Sequence, residues 1–233
     1  VNDYLLFIDT EASGLPKNWS EPLTNVANWP NAVQVAWVIY DKDRNEVKRQ
    51  NHYISNNDFT ISADAQRIHG LTVDFLTANG ESRAEVLKKL TADIEQYKPM
   101  LVGHFLKLDY YVLSADYNRE EMPNPMDKLP MFCTMLSSRY LVRNPMPRQM
   151  RLDELYNILF RTELQNSHQA QHDAEATARC FFELQESGEI NSKLIREQNA
   201  DAQKWKEPTI NTEGCFLPAL MVALTGILIY LLI

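Results

Sequence analysis

Positive charge is in short supply in this sequence. Its 23 Lys and Arg stand against 31 Asp and Glu, a formal net charge of −8. A protein that coats duplex nucleic acid by charge alone carries the opposite excess, so that class is excluded. Any contact with a polyanion must be local or assisted by bound cations. Cysteine is scarce too. Cys133, Cys180 and Cys215 lie far apart and match no zinc-ligand spacing, which fits free thiols in a reducing compartment. There is no internal repeat and no low-complexity segment. Hydrophobic and charged fractions of 45% and 23% exclude wholesale disorder. A length of 233 residues allows one well-packed domain plus appendages.

Charge disappears altogether at the C-terminal end. Cys215 to Ile233, CFLPALMVALTGILIYLLI, runs for 19 residues without a charged side chain. As a helix it would span roughly 28 Å, close to the hydrocarbon thickness of a bilayer. Pro218 falls in the first turn, where a missing N–H costs little. A buried core helix is the alternative, but such a helix keeps a polar stripe and this run has none. Residues 214–233 therefore read as a transmembrane anchor. Arg196, Lys204 and Lys206 on its N-terminal side place the large domain on the cytoplasmic face of the membrane.

What is present upstream is an alternation of strand and helix signals over residues 1–187, followed by a helix and polar linker over 188–213. Tyr4-Leu5-Leu6-Phe7-Ile8 is an apolar run ending in acids, as in a central strand that delivers residues to its tip. Val33 to Tyr40 and Val47 to Ile54 read as strands joined by the polar turn Asp41 to Glu46. Leu87, Leu90, Ile94 and Tyr97 recur at helical spacing before Pro99. Met100 to Gly103 reads as a short buried strand. Lys107 to Tyr117, Arg151 to Phe160 and Asp173 to Glu186 read as helices. Three antiparallel strands followed by alternating helices and strands predict an α/β, ribonuclease-H-like fold, a mixed sheet flanked by helices.

Three elements carry candidate chemistry. In Asp9-Thr10-Glu11 the two carboxylates point to the same face of a strand. Such a pair repels itself unless a proton or a cation intervenes. Hard ions such as Mg²⁺ or Mn²⁺ suit that donor set, although a solvated strand end has the same pattern. Asp109 follows a buried strand and opens an amphipathic helix, where a helix-stabilising first-turn acid is an equal reading. In His168-Gln-Ala-Gln-His-Asp173, Asp173 lies in line with Thr177, Cys180 and Leu184, on the packed side of a helix. A buried acid needs a partner, and a metal ion supplies one. His168 sits on the preceding loop; His172 has a similar local claim.

In order, Asp-x-Glu at the first strand, an acid after a later strand and His-x₄-Asp before a late helix resemble the DnaQ-like exonucleases of the DEDD-with-histidine type. FIDTEASGLPKNW resembles the family's first motif, IHGLT (Ile68 to Thr72) its substrate-side segment, and HQAQHDAEAT its third motif. The resemblance spans residues 4 to about 186. It implies a 3′-to-5′ exonuclease releasing 5′-mononucleotides from single-stranded DNA or RNA, with DNA favoured. Asp9, Glu11, Asp109 and Asp173 would hold two divalent cations, Mg²⁺ or Mn²⁺, and His168 would act as general base. Leu15 matches the position that wedges the terminal base, and His69 the position beside the terminal nucleotide. One departure stands out: Phe105 occupies the place of a usual Asn four residues before Asp109, and Leu108 that of a frequent Phe. Arg139, Arg143, Arg148 and Arg151 form a basic stretch free of acids. It reads either as a solvated loop or as a guide for the strand, with Arg143 and Arg148 touching phosphates. Two other functions compete with DNA trimming: an RNA-trimming enzyme of the same fold, and a catalytically silent, membrane-tethered binding module.

Overall fold

A computed structural model of the chain describes residues 2–55, 58–141 and 148–206. Its first strand, β1 (Tyr4–Ala12), is followed by β2 (Ala32–Asp41) and β3 (Glu46–Tyr53). Helices α1 (Ala63–His69), α2 (Val73–Asn79) and α3 (Arg83–Tyr97) lead to β4 (Met100–Gly103). Then come α4 (Leu106–Arg119), β5 (Met131–Cys133), the single turn α5 (Thr134–Ser137), α6 (Leu152–Phe160), α7 (Ala170–Glu186) and α8 (Ser192–Lys206). The five strands lie in the order β3-β2-β1-β4-β5, antiparallel on the β3–β2–β1 side and parallel from β1 to β5. This mixed sheet with helices on both faces is the architecture expected from the sequence.

Alternation along β1 decides which layer each residue meets. Leu6 and Ile8 pack with Leu87, Leu90, Leu106 and Leu113 of α3 and α4. Phe7 packs on the opposite face with Leu155, Phe181 and Leu184 of α6 and α7. Both sets are out of water, and each such side chain contributes about 1.5–3 kcal/mol of burial. Asp9 and Glu11 share the parity of Phe7 and face α7. Thr10 shares the parity of Ile8 and faces α4.

Strand β1 runs to Ala12, beyond the Ile8 at which its apolar run ends, so both acids lie within the strand. Its two edges differ. Pairing with β2 continues to Ala12, whereas pairing with β4 covers only Leu5 to Phe7. Past Phe7 the β4 side of β1 is open because the chain leaves at Gly103. A side chain there would press on Leu106 and approach the Ile8 carbonyl. The cleft that results begins where the acids do.

Helix α8, which falls in the helix and polar linker expected over 188–213, is built into the sheet's edge. Gln198 Oε1 accepts the Cys133 N–H at 2.8 Å and Asn199 Oδ1 accepts the Met131 N–H at 3.1 Å. These bonds cover an edge strand that would otherwise offer free donors. The packed unit therefore extends past residue 187, through α8. Cys133 and Cys180 are buried free thiols, as expected.

The membrane expectation is corrected. No helix among the described residues is long and apolar enough to cross a membrane. The run that suggested an anchor, Cys215 to Ile233, lies outside the described residues, as does the polar stretch Glu207 to Gly214.

The loop between β1 and β2 is held by α4. Arg119 donates to the carbonyls of Val26 (2.7 Å), Trp29 (2.5 Å) and Pro30 (3.2 Å), and pairs with the fully buried Asp116 at 2.5 Å. Among the described residues, Arg119→Ala leaves Asp116 with Arg83 and the Ala32 N–H, and takes the guanidinium donor from the Trp29 and Pro30 carbonyls. We expect a loss of roughly 3 kcal/mol or more, a fall in Tm of about 6–12 °C. Thermal melts of the two proteins check this; coincident melts would refute it.

Candidate active site

Asp9 and Glu11 on β1 meet Asp173 on α7, with one carboxylate oxygen of each lying within 4.8 Å of the others. Strand parity and helix phase produce this meeting. The two strand acids project toward α7, and Asp173 sits on the same helix face as Thr177, Cys180 and Leu184, all buried. Helix α7 starts at Ala170, whose N–H donates to Gln34 Oε1 of β2 at 3.3 Å. Thus β2 sets the height of Asp173 over β1.

Asp173 is held from one side only. Its Oδ2 accepts the backbone N–H of His168 at 2.9 Å, while its buried Oδ1 has no hydrogen-bond partner among the described residues. His168 adopts φ +65°, the left-handed region, which turns its N–H back onto the helix that follows. A buried carboxylate oxygen without a donor is costly, and a cation relieves that cost.

Asp109 is placed differently from the other three. It comes from the first turn of α4, and its Oδ1 accepts both the backbone N–H (2.9 Å) and the hydroxyl (2.8 Å) of Thr10. It stands outside the three-carboxylate group because it approaches β1 from the α4 face, where Thr10 points. Its charge is nevertheless felt across the strand.

All four acids are pushed toward protonation. Asp9 is raised well above the usual carboxylate range by burial, then by repulsion from Asp109, Asp173 and Glu11. Burial, followed by Asp173, lifts Glu11 to about 7. Asp109 is lifted to about 8 by burial, although the hydrogen bonds from Thr10 pull the other way. Asp173 is raised by burial, against the opposing His168 N–H. Near neutral pH such a cluster must hold protons or cations. All-oxygen donors, mutual repulsion and the orphaned Asp173 Oδ1 together fit a hard divalent cation.

Asp9, Glu11 and Asp173 line a cleft of about 260 Å³ together with His168, Ser167, His104, Phe105, Met135, Arg151 and Asp153. A second hollow of about 330 Å³ adjoins it, sharing Thr10, Glu11 and Leu108. Leu15 and His69 line this second hollow with Ile68. Leu15 is 71% exposed, an apolar side chain standing largely in water. His69 Nδ1 accepts the Leu71 N–H at 2.9 Å, and burial lowers its pKa. The imidazole is therefore neutral, with its proton on Nε2.

The arginines are distributed less simply than the sequence suggested. Arg148 donates twice to Glu154, at 2.9 Å each, and lines a hollow that meets the acid cleft at Asp153, Leu164 and Ser167. Arg151, on the rim of the acid cleft, pairs with Asp153. Arg143 lies outside the described residues. His104 is a site residue that sequence reasoning missed. Its Nε2 faces the Met150 carbonyl at 3.0 Å and its Nδ1 the Thr134 hydroxyl at 2.9 Å, and burial pushes its pKa down to about 4. It is a neutral strut tying β4 to the segment before α6. No local pattern distinguishes it from any other histidine.

A family model described as exonuclease, RNase T, matches residues 6–181. The chain belongs to this exonuclease family. No curated protein matches it in sequence. Among solved structures it is similar to exonuclease I, at TM-score 0.67 and 18% identity over 84% of this chain and 43% of that one. It is similar also to E. coli exonuclease I in a zinc-bound complex with single-stranded DNA, at TM-score 0.66 and 18% identity over 85% and 43%. A third is the E. coli enzyme with a dA16 oligonucleotide, at TM-score 0.66 and 17% identity over 88% and 45%. The chain thus spans less than half the length of these structures. At such identities they show that the fold is shared.

Proposed function

We propose that this exonuclease-family domain removes 5′-mononucleotides from the 3′ end of single-stranded nucleic acid, DNA in preference to RNA, using two divalent cations such as Mg²⁺. The observation that carries this reading is the convergence of Asp9, Glu11 and Asp173 in one cleft with His168. The direction of attack rests on the resemblance of the ordered motifs. The preference for a DNA strand rests on likeness to a fold solved with DNA oligonucleotides.

Asp9, Glu11 and Asp173 would hold the cations, with Asp109 completing the acidic set from α4. When bound, the cations would supply a more acidic attacking water and charge relief on the phosphate. They would also reverse the local charge, so that an acidic protein accepts a polyanion. His168, on the same cleft wall, takes the proton of the attacking water on its imidazole. Asp109, through its two bonds to Thr10, keeps the open end of β1 in register. Leu15 and His69, in the adjoining hollow, place the terminal nucleotide, the leucine against its base.

The test uses the full chain with single-stranded DNA and RNA, each labelled at the 5′ or the 3′ end. With Mg²⁺, the 5′-labelled DNA should shorten stepwise, and the 3′-labelled DNA should release labelled mononucleotide at once. EDTA should stop both. Internal cuts, or products indifferent to the chelator, would overturn the proposal. Faster shortening of RNA would overturn the sugar preference alone.

A further inference from the structure

The hydrolytic machinery leaves one aromatic surface unused. Trp19, in the β1–β2 loop, and Phe105, the residue before α4, are 38% and 37% exposed. Their rings lie 5.8 Å apart and tilted by 47°. Behind them, Trp29 and Tyr111 are buried; Trp19 meets Trp29 edge-on at 6.3 Å, and Tyr111 at 6.2 Å. The Lys107 ammonium stands 5.8 Å from the Trp19 ring and 5.4 Å from that of Tyr111. Among the described residues Lys107 forms no ion pair.

Three features show that this surface is held in place. Asn18 and Asn28 exchange hydrogen bonds, the Asn18 N–H to Asn28 Oδ1 at 2.9 Å and Asn28 Nδ2 to the Asn18 carbonyl at 2.8 Å, so Trp19 leaves from a cross-braced loop. Arg119 fixes the far end of the same loop. Phe105 adopts φ +67°, a conformation unfavourable for an aromatic residue, and so stands out from the start of α4. Phe105 also lines the acid cleft. The aromatic surface is therefore continuous with the site.

Resting on the nuclease reading above, we propose that Phe105 and Trp19 form a stacking site for a base upstream of the scissile nucleotide, with Lys107 contacting the adjoining phosphate. Planar rings that keep a third of their area in water, beside a lysine with no carboxylate partner among the described residues, suit an alternation of base and phosphate. Stacking of this kind tolerates any base and recurs in proteins that hold single strands. It also gives a net-acidic protein a local hold on the strand that does not depend on the cations.

The experiment compares two substrates in the full chain. One is the p-nitrophenyl ester of thymidine 5′-monophosphate, too short to reach Trp19; the other is a ten-nucleotide oligothymidylate. Trp19→Ala should raise KM for the oligomer roughly tenfold, about 1.4 kcal/mol, with kcat unchanged and the ester hydrolysed as before. Trp19→Phe should restore most of the loss. Lys107→Gln should lower the slope of log affinity against log salt by about 0.7, the share of one phosphate contact. Equal KM for wild type and Trp19→Ala on the oligomer would overturn the proposal. So would a loss shared equally by the ester, which would mean a structural role. If the wild type hydrolyses neither substrate, the nuclease reading has failed. Fluorescence anisotropy of labelled oligothymidylate in EDTA then decides the stacking site alone: tenfold weaker binding by Trp19→Ala supports it, and equal binding overturns it.

Discussion

Glu11→Gln will abolish hydrolysis and, in the presence of a chelator, make the protein more stable. The two effects have one cause. Burial and the neighbouring Asp173 raise Glu11 to about 7 in the folded chain, from an ordinary value of 4.5. An acid whose folded pKa is raised is destabilising where it is ionised, fully so above the folded value. The penalty disappears as pH falls through that value toward the unfolded one. Chelated wild-type protein should therefore melt higher at about pH 6 than at about pH 8. Asp109, raised to about 8, works in the same direction over an adjoining range. A neutral amide at position 11 removes the Glu11 share at every pH. The difference is up to about 3 kcal/mol near pH 8, or roughly 6–12 °C in Tm. Hydrolysis should fall by on the order of 10³-fold or more, the loss expected when cation binding worth several kcal/mol is removed. Melting curves in EDTA against pH, paired with initial rates in Mg²⁺, make the check. A variant that melts lower than wild type in chelator at high pH would show that the cluster is stabilised by something other than cations.

His168→Asn is expected to lower kcat by about 10²- to 10⁴-fold, the range for loss of a positioned general base, with little change in KM or Tm. Asn is the informative replacement for two reasons. It tolerates the left-handed φ of +65° better than most residues. Moreover, the bond that orients Asp173 comes from the backbone N–H of residue 168 and survives any change of side chain. Only the imidazole is lost. Single-turnover rates and a melting curve decide the matter: an unchanged rate would remove His168 from the chemistry, and a rate loss matched by a fall in Tm would make its role structural.

Much of the fold is readable from periodicity. The apolar runs that become β1, β2 and β4 and the helical spacing of α3, α4, α6 and α7 are strong because each element buries a continuous face. Strand β5 is three residues long, too short to display a period. Helices α1 and α2 were missed although their end signals are present. Ser62 and Thr72 accept hydrogen bonds from Ala65 and Phe75 at the N-caps, and Gly70 and Gly80 follow the last turns. Seven-residue helices offer too little apolar face for a periodic pattern, so caps are their only sequence signal. At the other extreme, an uncharged run suggested a membrane span by composition alone, and no described helix supports one.

The sequence by itself determined the order of the acids and the family they belong to. It also determined, through strand alternation, that Asp9 and Glu11 share a side. Tertiary structure decided which of the other acids reaches them. Asp173 does so because α7 packs on the Phe7 face of the sheet, whereas Asp109 arrives from the α4 face and is taken up by Thr10. It also decided that Trp19 and Phe105, 86 positions apart, share one surface beside the cleft. Local sequence sets the direction in which a side chain leaves its own strand or helix. What that side chain meets depends on how separate elements pack, and no local pattern records it.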